Sequence, residues 1–209
     1  MITVCGRSGL RDLGSRLLRW RAPAWTYVVA LVVPLSIAVG TAALVASAGG
    51  TVPVGQLMSL PGALAYLGFG IGLFLLTEEA GWRGALLPRV QHGVGPAAAS
   101  LIIGVLWAVW HLPLVANPAE HDRGLPVGPF LILIVATSVL VTGLVNAAGG
   151  SVVVAAVFHA SFDACYSYVG VVGPEHTMVI VAAVVTTAAA AALMLATRGR
   201  LFLTDEPSP

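Results

Sequence analysis

From Leu60 to Leu76 the chain carries no charged residue. Then Thr77-Glu78-Glu79-Ala80-Gly81-Trp82-Arg83-Gly84 brings in two adjacent carboxylates and an arginine together. Over the whole chain, hydrophobic residues make up 58% and charged residues 9%, and the mean hydropathy is +0.94. A soluble domain carries about 25% charged residues. The chain therefore reads as an all-α, polytopic membrane protein. In that setting an ionisable group at membrane depth is costly, so Glu78, Glu79 and Arg83 are candidates for function. The plainer alternative is that the two carboxylates mark where a helix leaves the bilayer.

Six apolar segments are each of the length a helix needs to cross, about 20 residues. They cover residues 26–48, 60–87, 97–115, 127–145, 152–172 and 178–196. Pro34 is a candidate kink in the first. The second is read as one continuous helix running through Arg83, with Gly68, Gly70 and Gly72 as close-packing positions rather than a nucleotide loop. Gly49-Gly50, Gly93-Val94-Gly95-Pro96, Gly149-Gly150 and Gly173-Pro174 supply the breaks, and Glu120-His121-Asp122-Arg123 is read as a solvated turn. Ahead of the spans, residues 1–24 place Arg7, Arg11, Arg16, Arg19 and Arg21 among Leu10, Leu13, Leu17 and Leu18. This predicts a short amphipathic helix on an anionic membrane face and not a cleavable signal peptide. Trp20 and Trp25 are placed as interfacial anchors. The organisation is thus a basic segment (1–24), a membrane domain (25–197, with its motif core at 60–165) and a polar tail (198–209).

All ten basic residues are arginines. They cluster before the first span, after the second and after the sixth, with only Arg123 on the opposite side, so the positive-inside rule puts both termini in the cytoplasm; the plasma membrane is the expected location. Net charge is near zero, which gives no reason to expect a nucleic-acid partner. Cys5 and Cys165 read as free thiols rather than a disulfide framework.

Depth brings the polar residues together. With a rise of 1.5 Å per residue, Glu78 and His159 lie roughly 15 Å deep and His111 roughly 24 Å deep, all within one hydrocarbon core. Glu79 and Arg83 are i and i+4 and are predicted to pair, while Glu78, about 100° around the helix, faces elsewhere, toward the site. His159 and Asp163 share the same spacing, so Asp163 is the expected carboxylate beside His159. Two chemistries fit these residues. In one, Glu78 is a general base on water with His111 holding that water, and His159 and Asp163 stabilise the oxyanion or protonate the leaving amine. In the other, His111, His159 and a carboxylate such as Glu78 or Asp163 bind zinc. Both lead to amide hydrolysis within the membrane. A non-catalytic peptide-binding protein and an ion or proton relay are the rival readings.

At these residues the chain resembles the CPBP family, which comprises the type II CAAX prenyl proteases and the bacteriocin-processing or immunity (Abi) proteins. The family's motifs E-E-x-x-x-R, F-x-x-x-H and H-x-x-x-N/D are matched by Glu78-Glu79-Ala80-Gly81-Trp82-Arg83, by Trp107-Ala108-Val109-Trp110-His111 and by His159-Ala160-Ser161-Phe162-Asp163. The resemblance implies an intramembrane endopeptidase with no cofactor or with zinc, acting on a membrane-embedded or lipidated (CAAX-like) peptide. It implies Glu78 and His111 as the water-activating pair, His159 and Asp163 at the oxyanion, and Glu79 and Arg83 in support. Two departures stand out. Trp107 replaces phenylalanine at what reads as a packing position. Asp163 replaces the asparagine of CAAX-cleaving members, and an ionised aspartate cannot donate a hydrogen bond.

Overall fold

The computed structural model describes residues 6–117, 124–172 and 176–203. The Glu120–Arg123 turn, Cys5 and the end of the polar tail fall outside the described residues. Within them the chain is helical: α1 (Arg7–Leu17), α2 (Ala24–Ser47), α3 (Leu60–Leu76), a π-helical segment (Ala80–Leu86), α4 (Leu87–Val94), α5 (Pro96–Ala116), α6 (Val127–Ala147), α7 (Val152–Val169) and α8 (His176–Ala196). Five of these, α2, α5, α6, α7 and α8, are long and apolar enough to cross a bilayer. Helix α3 together with the stretch Ala80–Val94 makes a sixth crossing if the bent pair is counted as one. The protein is a polytopic helical bundle.

One expectation fails here. The second span is not one helix: it stops at Leu76 and resumes as a π-helix, with a 44° bend between the two halves. The break falls on Thr77-Glu78-Glu79. The Thr77 hydroxyl donates to the Leu73 carbonyl at 2.8 Å, a back-bond that competes with the helix ladder. A π-helical stretch holds more residues per turn than an α-helix, and such stretches are frequent at functional sites. Pro34, by contrast, sits buried inside a helix assigned without interruption from Ala24 to Ser47.

Helices α6 and α7 form the central hairpin. In each, 72% of the most apolar window is buried, against 33% in α2, α5 and α8, which present the rest of their surface outward as lipid-facing helices do. The hairpin turn works because Gly149 and Gly150 both take positive φ (64° and 85°), a region that side chains disfavour. Ser151 then caps α7, its hydroxyl accepting from the Val154 N–H and donating to the Arg19 carbonyl at 2.6 Å. Around this hairpin, α3 and α2 pack on α7, while α5 and α8 pack on α6.

Close approach of α3 to α7 rests on Gly70, where an added Cβ would lie 3.2 Å from the Ala160 Cβ and 3.3 Å from the Phe74 ring. Gly68 and Gly72 have open space around them, so only one of the three glycines read as packing positions has that role. The amphipathic α1 forms as expected but does more than lie on a surface. Its half-buried Leu13 packs over Gly84 of the π-helical segment, and the Arg19 guanidinium donates through Nη1 to the Gly149 carbonyl. Asn146 in turn donates to the Leu201 carbonyl at 3.1 Å. The N-terminal helix, the α6–α7 turn and the end of α8 thus share one end of the bundle.

Candidate functional site

The bend in the second span aims two neighbouring carboxylates in different directions. Glu79 is wholly buried, and its Oε1 receives two donors: Arg83 Nη1 at 2.9 Å and His159 Nδ1 at 2.8 Å. Glu78 is half-buried and turns the other way, where its Oε2 accepts from Trp107 Nε1 at 2.8 Å. The i, i+4 pairing of Glu79 with Arg83 and the divergence of Glu78 follow the reading of the sequence.

His159 departs from that reading. Its near carboxylate is Glu79, from another helix, and not Asp163: the His159 Nε2 to Asp163 Oδ2 separation is 4.0 Å. The physical reason is that Nδ1 is the ring nitrogen nearer the backbone and is fixed by the Glu79 bond, while the Phe74 ring lies flat against the imidazole, with centroids 3.8 Å apart and planes 6° from parallel. Trp107 closes the edge of the ring at 5.2 Å. The imidazole is held on three sides, and Nε2 is left toward Asp163. Asp163 itself accepts from the Tyr66 hydroxyl at 3.2 Å.

His111 is positioned by its own helix. Its Nδ1 lies 2.8 Å from the Trp107 carbonyl, one turn back on α5. A carbonyl only accepts, so Nδ1 carries the proton and, in the neutral ring, Nε2 keeps a free lone pair. By the same logic Nδ1 of His159 donates to the Glu79 carboxylate.

Glu78, His111, His159 and Asp163 all line one cavity of about 180 Å³, together with Tyr66, Phe74 and Trp107. Its far wall is apolar, with Leu114, Phe130, Ile134 and Val172 among the residues there. The structure therefore brings together the four candidate residues, with His111 included despite its greater estimated depth. Glu79 and Arg83 stand behind the cavity wall. Glu78 also borders a second groove of about 290 Å³, formed with Thr77, Gly81, Trp82, Leu86 and Trp110.

Three contributors were not singled out from the sequence: Trp107 as a hydrogen-bond donor, Tyr66 and Phe74. Trp107 was read only as packing volume, yet its N–H holds Glu78 and its ring lies 4.3 Å from the Arg83 guanidinium, a cation–π contact. Signals existed. Trp107 is one turn from His111 on the same face, and Tyr66 is the one phenol in the charge-free run of α3.

No ready zinc cage is formed among the described residues. A zinc site needs three or four His, Cys, Asp or Glu ligands converging at roughly 2.0–2.3 Å. Among the described residues no group of three or more such side chains is so arranged.

A family description, type II CAAX prenyl endopeptidase Rce1-like, matches residues 59–165, just over half of the chain. The matched region begins at the N-cap of α3 and ends two residues past Asp163, so it contains Glu78, His111, His159 and Asp163. One similar protein is CAAX prenyl protease 2 of Methanococcus maripaludis, 30% identical over 98 residues, which is 42% of this chain and 36% of that protein. The match thus spans about a third of that relative's length. The chain belongs to the type II CAAX prenyl endopeptidase Rce1-like family.

Proposed function

We propose that this Rce1-like protein is an intramembrane endopeptidase that uses Glu78 and His111 to activate water against a peptide bond held in the 180 Å³ cavity. The observation that carries this reading is the separation of two adjacent carboxylates into two environments. Glu78 reaches the cavity with one oxygen engaged, and Glu79 is sealed behind it as the partner of Arg83 and His159.

The steps follow from the available lone pairs and protons. A water in the cavity gives one proton to Glu78 while its second O–H is accepted by His111 Nε2, and its oxygen attacks the carbonyl carbon. The carbonyl π pair moves to oxygen. His159, as imidazolium, donates Nε2–H to that oxyanion, a preorganised donor because Glu79, Phe74 and Trp107 fix the ring. The oxyanion's electron pair then re-forms the carbonyl as the C–N bond breaks, Glu78 passes its proton to the departing nitrogen, and the second water proton, held at His111, moves from the new acid to the amine, so a carboxylate and an ammonium leave. Asp163 faces Nε2 and is tied to Tyr66, which suits a role in orienting His159 rather than donating to the oxyanion. No step needs a metal.

For substrate we propose a membrane-associated peptide bearing a lipid near the scissile bond, as on a CAAX-like C terminus. In support, the apolar Trp82–Trp110 groove meets the polar cavity at Glu78, so a hydrocarbon chain and a peptide bond can be held on either side of one carboxylate. The test is cleavage of prenylated and unprenylated membrane peptides by purified protein, wild type beside Glu78→Gln, with and without a chelator. The expected result is chelator-resistant cleavage that Glu78→Gln lowers by about 10²–10⁴-fold, the span of a general base. Full activity in Glu78→Gln, or loss of activity on chelation restored by zinc, would refute the mechanism.

A further inference from the structure

At the arginine-rich end of the bundle lies a second polar cavity of about 330 Å³, distinct from the proposed peptidase site. Arg16, Arg19 and Arg83 line it with His92, Gln91 and Asn146, and Asp12 is its one carboxylate. Asp12 pairs with Arg16 and the buried Glu79 pairs with Arg83, which leaves the charge of Arg19 in a concave site, and such a site focuses the field on anions. Asp12 is engaged by Arg16 Nε at 3.1 Å, and Arg19 commits Nη1 to the Gly149 carbonyl.

Arg83 gives the second, independent indication. It is 1% exposed, yet its Nε and Nη2 have no hydrogen-bond partner, since Glu79 takes only Nη1. An unsatisfied buried donor is costly, more so on a charged group, and native structures rarely tolerate one.

We propose that this cavity binds a phosphate group, carried either by an anionic phospholipid headgroup or by a small soluble phosphate. Guanidinium is the side chain best matched to phosphate oxygens, through its fork of donors. The ligand would complete the bonding of Arg83 and bridge it to Arg16 and Arg19, fastening α1 and the α6–α7 turn to the π-helical segment. Because Arg83 holds Glu79 and Glu79 holds His159, occupancy would stiffen the support of that histidine. The binding claim itself does not depend on peptidase activity.

The test uses full-length protein in nonionic detergent and reads resistance to SDS unfolding, so it succeeds or fails whatever the enzyme does. Sodium phosphate is compared with sodium chloride at equal ionic strength. Nanodiscs of phosphatidylcholine are compared with nanodiscs containing phosphatidylglycerol. Two variants accompany the wild type: Arg16→Gln, whose exposed pair with Asp12 contributes little to the fold, and His92→Glu, which places a carboxylate on the exposed rim. Protection is expected in the wild type, with the apparent affinity falling about tenfold or more in each variant. Protection by phosphatidylglycerol alone assigns the lipid headgroup; protection by inorganic phosphate as well assigns the shared phosphate chemistry. No protection in either medium, or equal protection of wild type and both variants, overturns the proposal.

Discussion

The buried Arg83–Glu79–His159 relay makes a prediction that separates stability from catalysis. Glu79→Gln preserves shape, and its amide oxygen still accepts from His159, but it leaves the Arg83 guanidinium, 1% exposed, without a buried counter-ion. Breaking a buried pair in this way costs about 3–5 kcal/mol, because the orphaned charge remains desolvated. Replacing both partners, Glu79→Gln with Arg83→Met, removes that charge, and the double variant is expected within about 1 kcal/mol of wild type. The coupling energy between the two positions should therefore be about 3 kcal/mol or more, read by SDS titration of all four proteins at one pH. Cleavage should behave differently. Both Glu79→Gln and the double variant leave His159 Nδ1 against a neutral amide instead of a carboxylate, so the imidazolium loses its support. Activity should fall by roughly 10²-fold or more in both, with no recovery in the double. A Glu79→Gln protein as stable as wild type would refute the burial argument. A double variant that regained activity along with stability would refute the assignment of Glu79 as the support of His159.

Three further expectations follow from named contacts. Trp107→Phe, which supplies the family's usual residue, removes the 2.8 Å bond to Glu78; a charge-assisted bond of about 1.5–3 kcal/mol predicts a loss of about 10–150-fold in kcat/KM, and unchanged kinetics would return Trp107 to packing alone. Gly70→Val forces Ala160 and the Phe74 ring to move, and should cost about 1–3 kcal/mol in SDS titration while disturbing the Phe74–His159 stack; a neutral effect would mean that α3 and α7 are not in close contact. Deleting Gly81 removes one residue between Glu79 and Arg83, so Arg83 and the residues after it rotate relative to α3 and Glu79 by about 100° and cleavage should be lost, whereas an active deletion variant would show that the π-helical register is dispensable.

The fold was legible where physics acts along the chain. Apolar length set the spans, and glycine pairs set the breaks, because neither depends on what the helix meets. The same holds for Glu79 with Arg83: i and i+4 are neighbours on any helix, so the pair could be read before any packing was known. His159 shows where that reasoning stops. Its i+4 neighbour Asp163 was the carboxylate that spacing offered, but the one that bonds it arrives from α3's broken end, eighty residues earlier in the chain. Which carboxylate wins is decided by how closely α3 approaches α7, and that in turn by a single glycine, Gly70, whose neighbours Gly68 and Gly72 look identical in sequence and pack against nothing. Trp107 was misread for a related reason. Periodicity fixes the face on which an indole lies, but the target of its N–H depends on a rotamer and on a partner helix, and here that partner is Glu78, itself redirected by a bend that a 3.6-residue pattern cannot register over so few residues. Both of these misreadings involve the break at Thr77-Glu78-Glu79, where the regular helix gives way and long-range contacts take over the placement of both carboxylates, whereas Tyr66 and Phe74 enter the site through the packing of α3 on α7. A charge-free apolar run that ends in two adjacent acids is therefore to be read as a candidate break in the helix as well as its continuation, because the 100° between neighbouring residues sends the two carboxylates apart on either reading and only the packing of the flanking helices decides which partner each one meets.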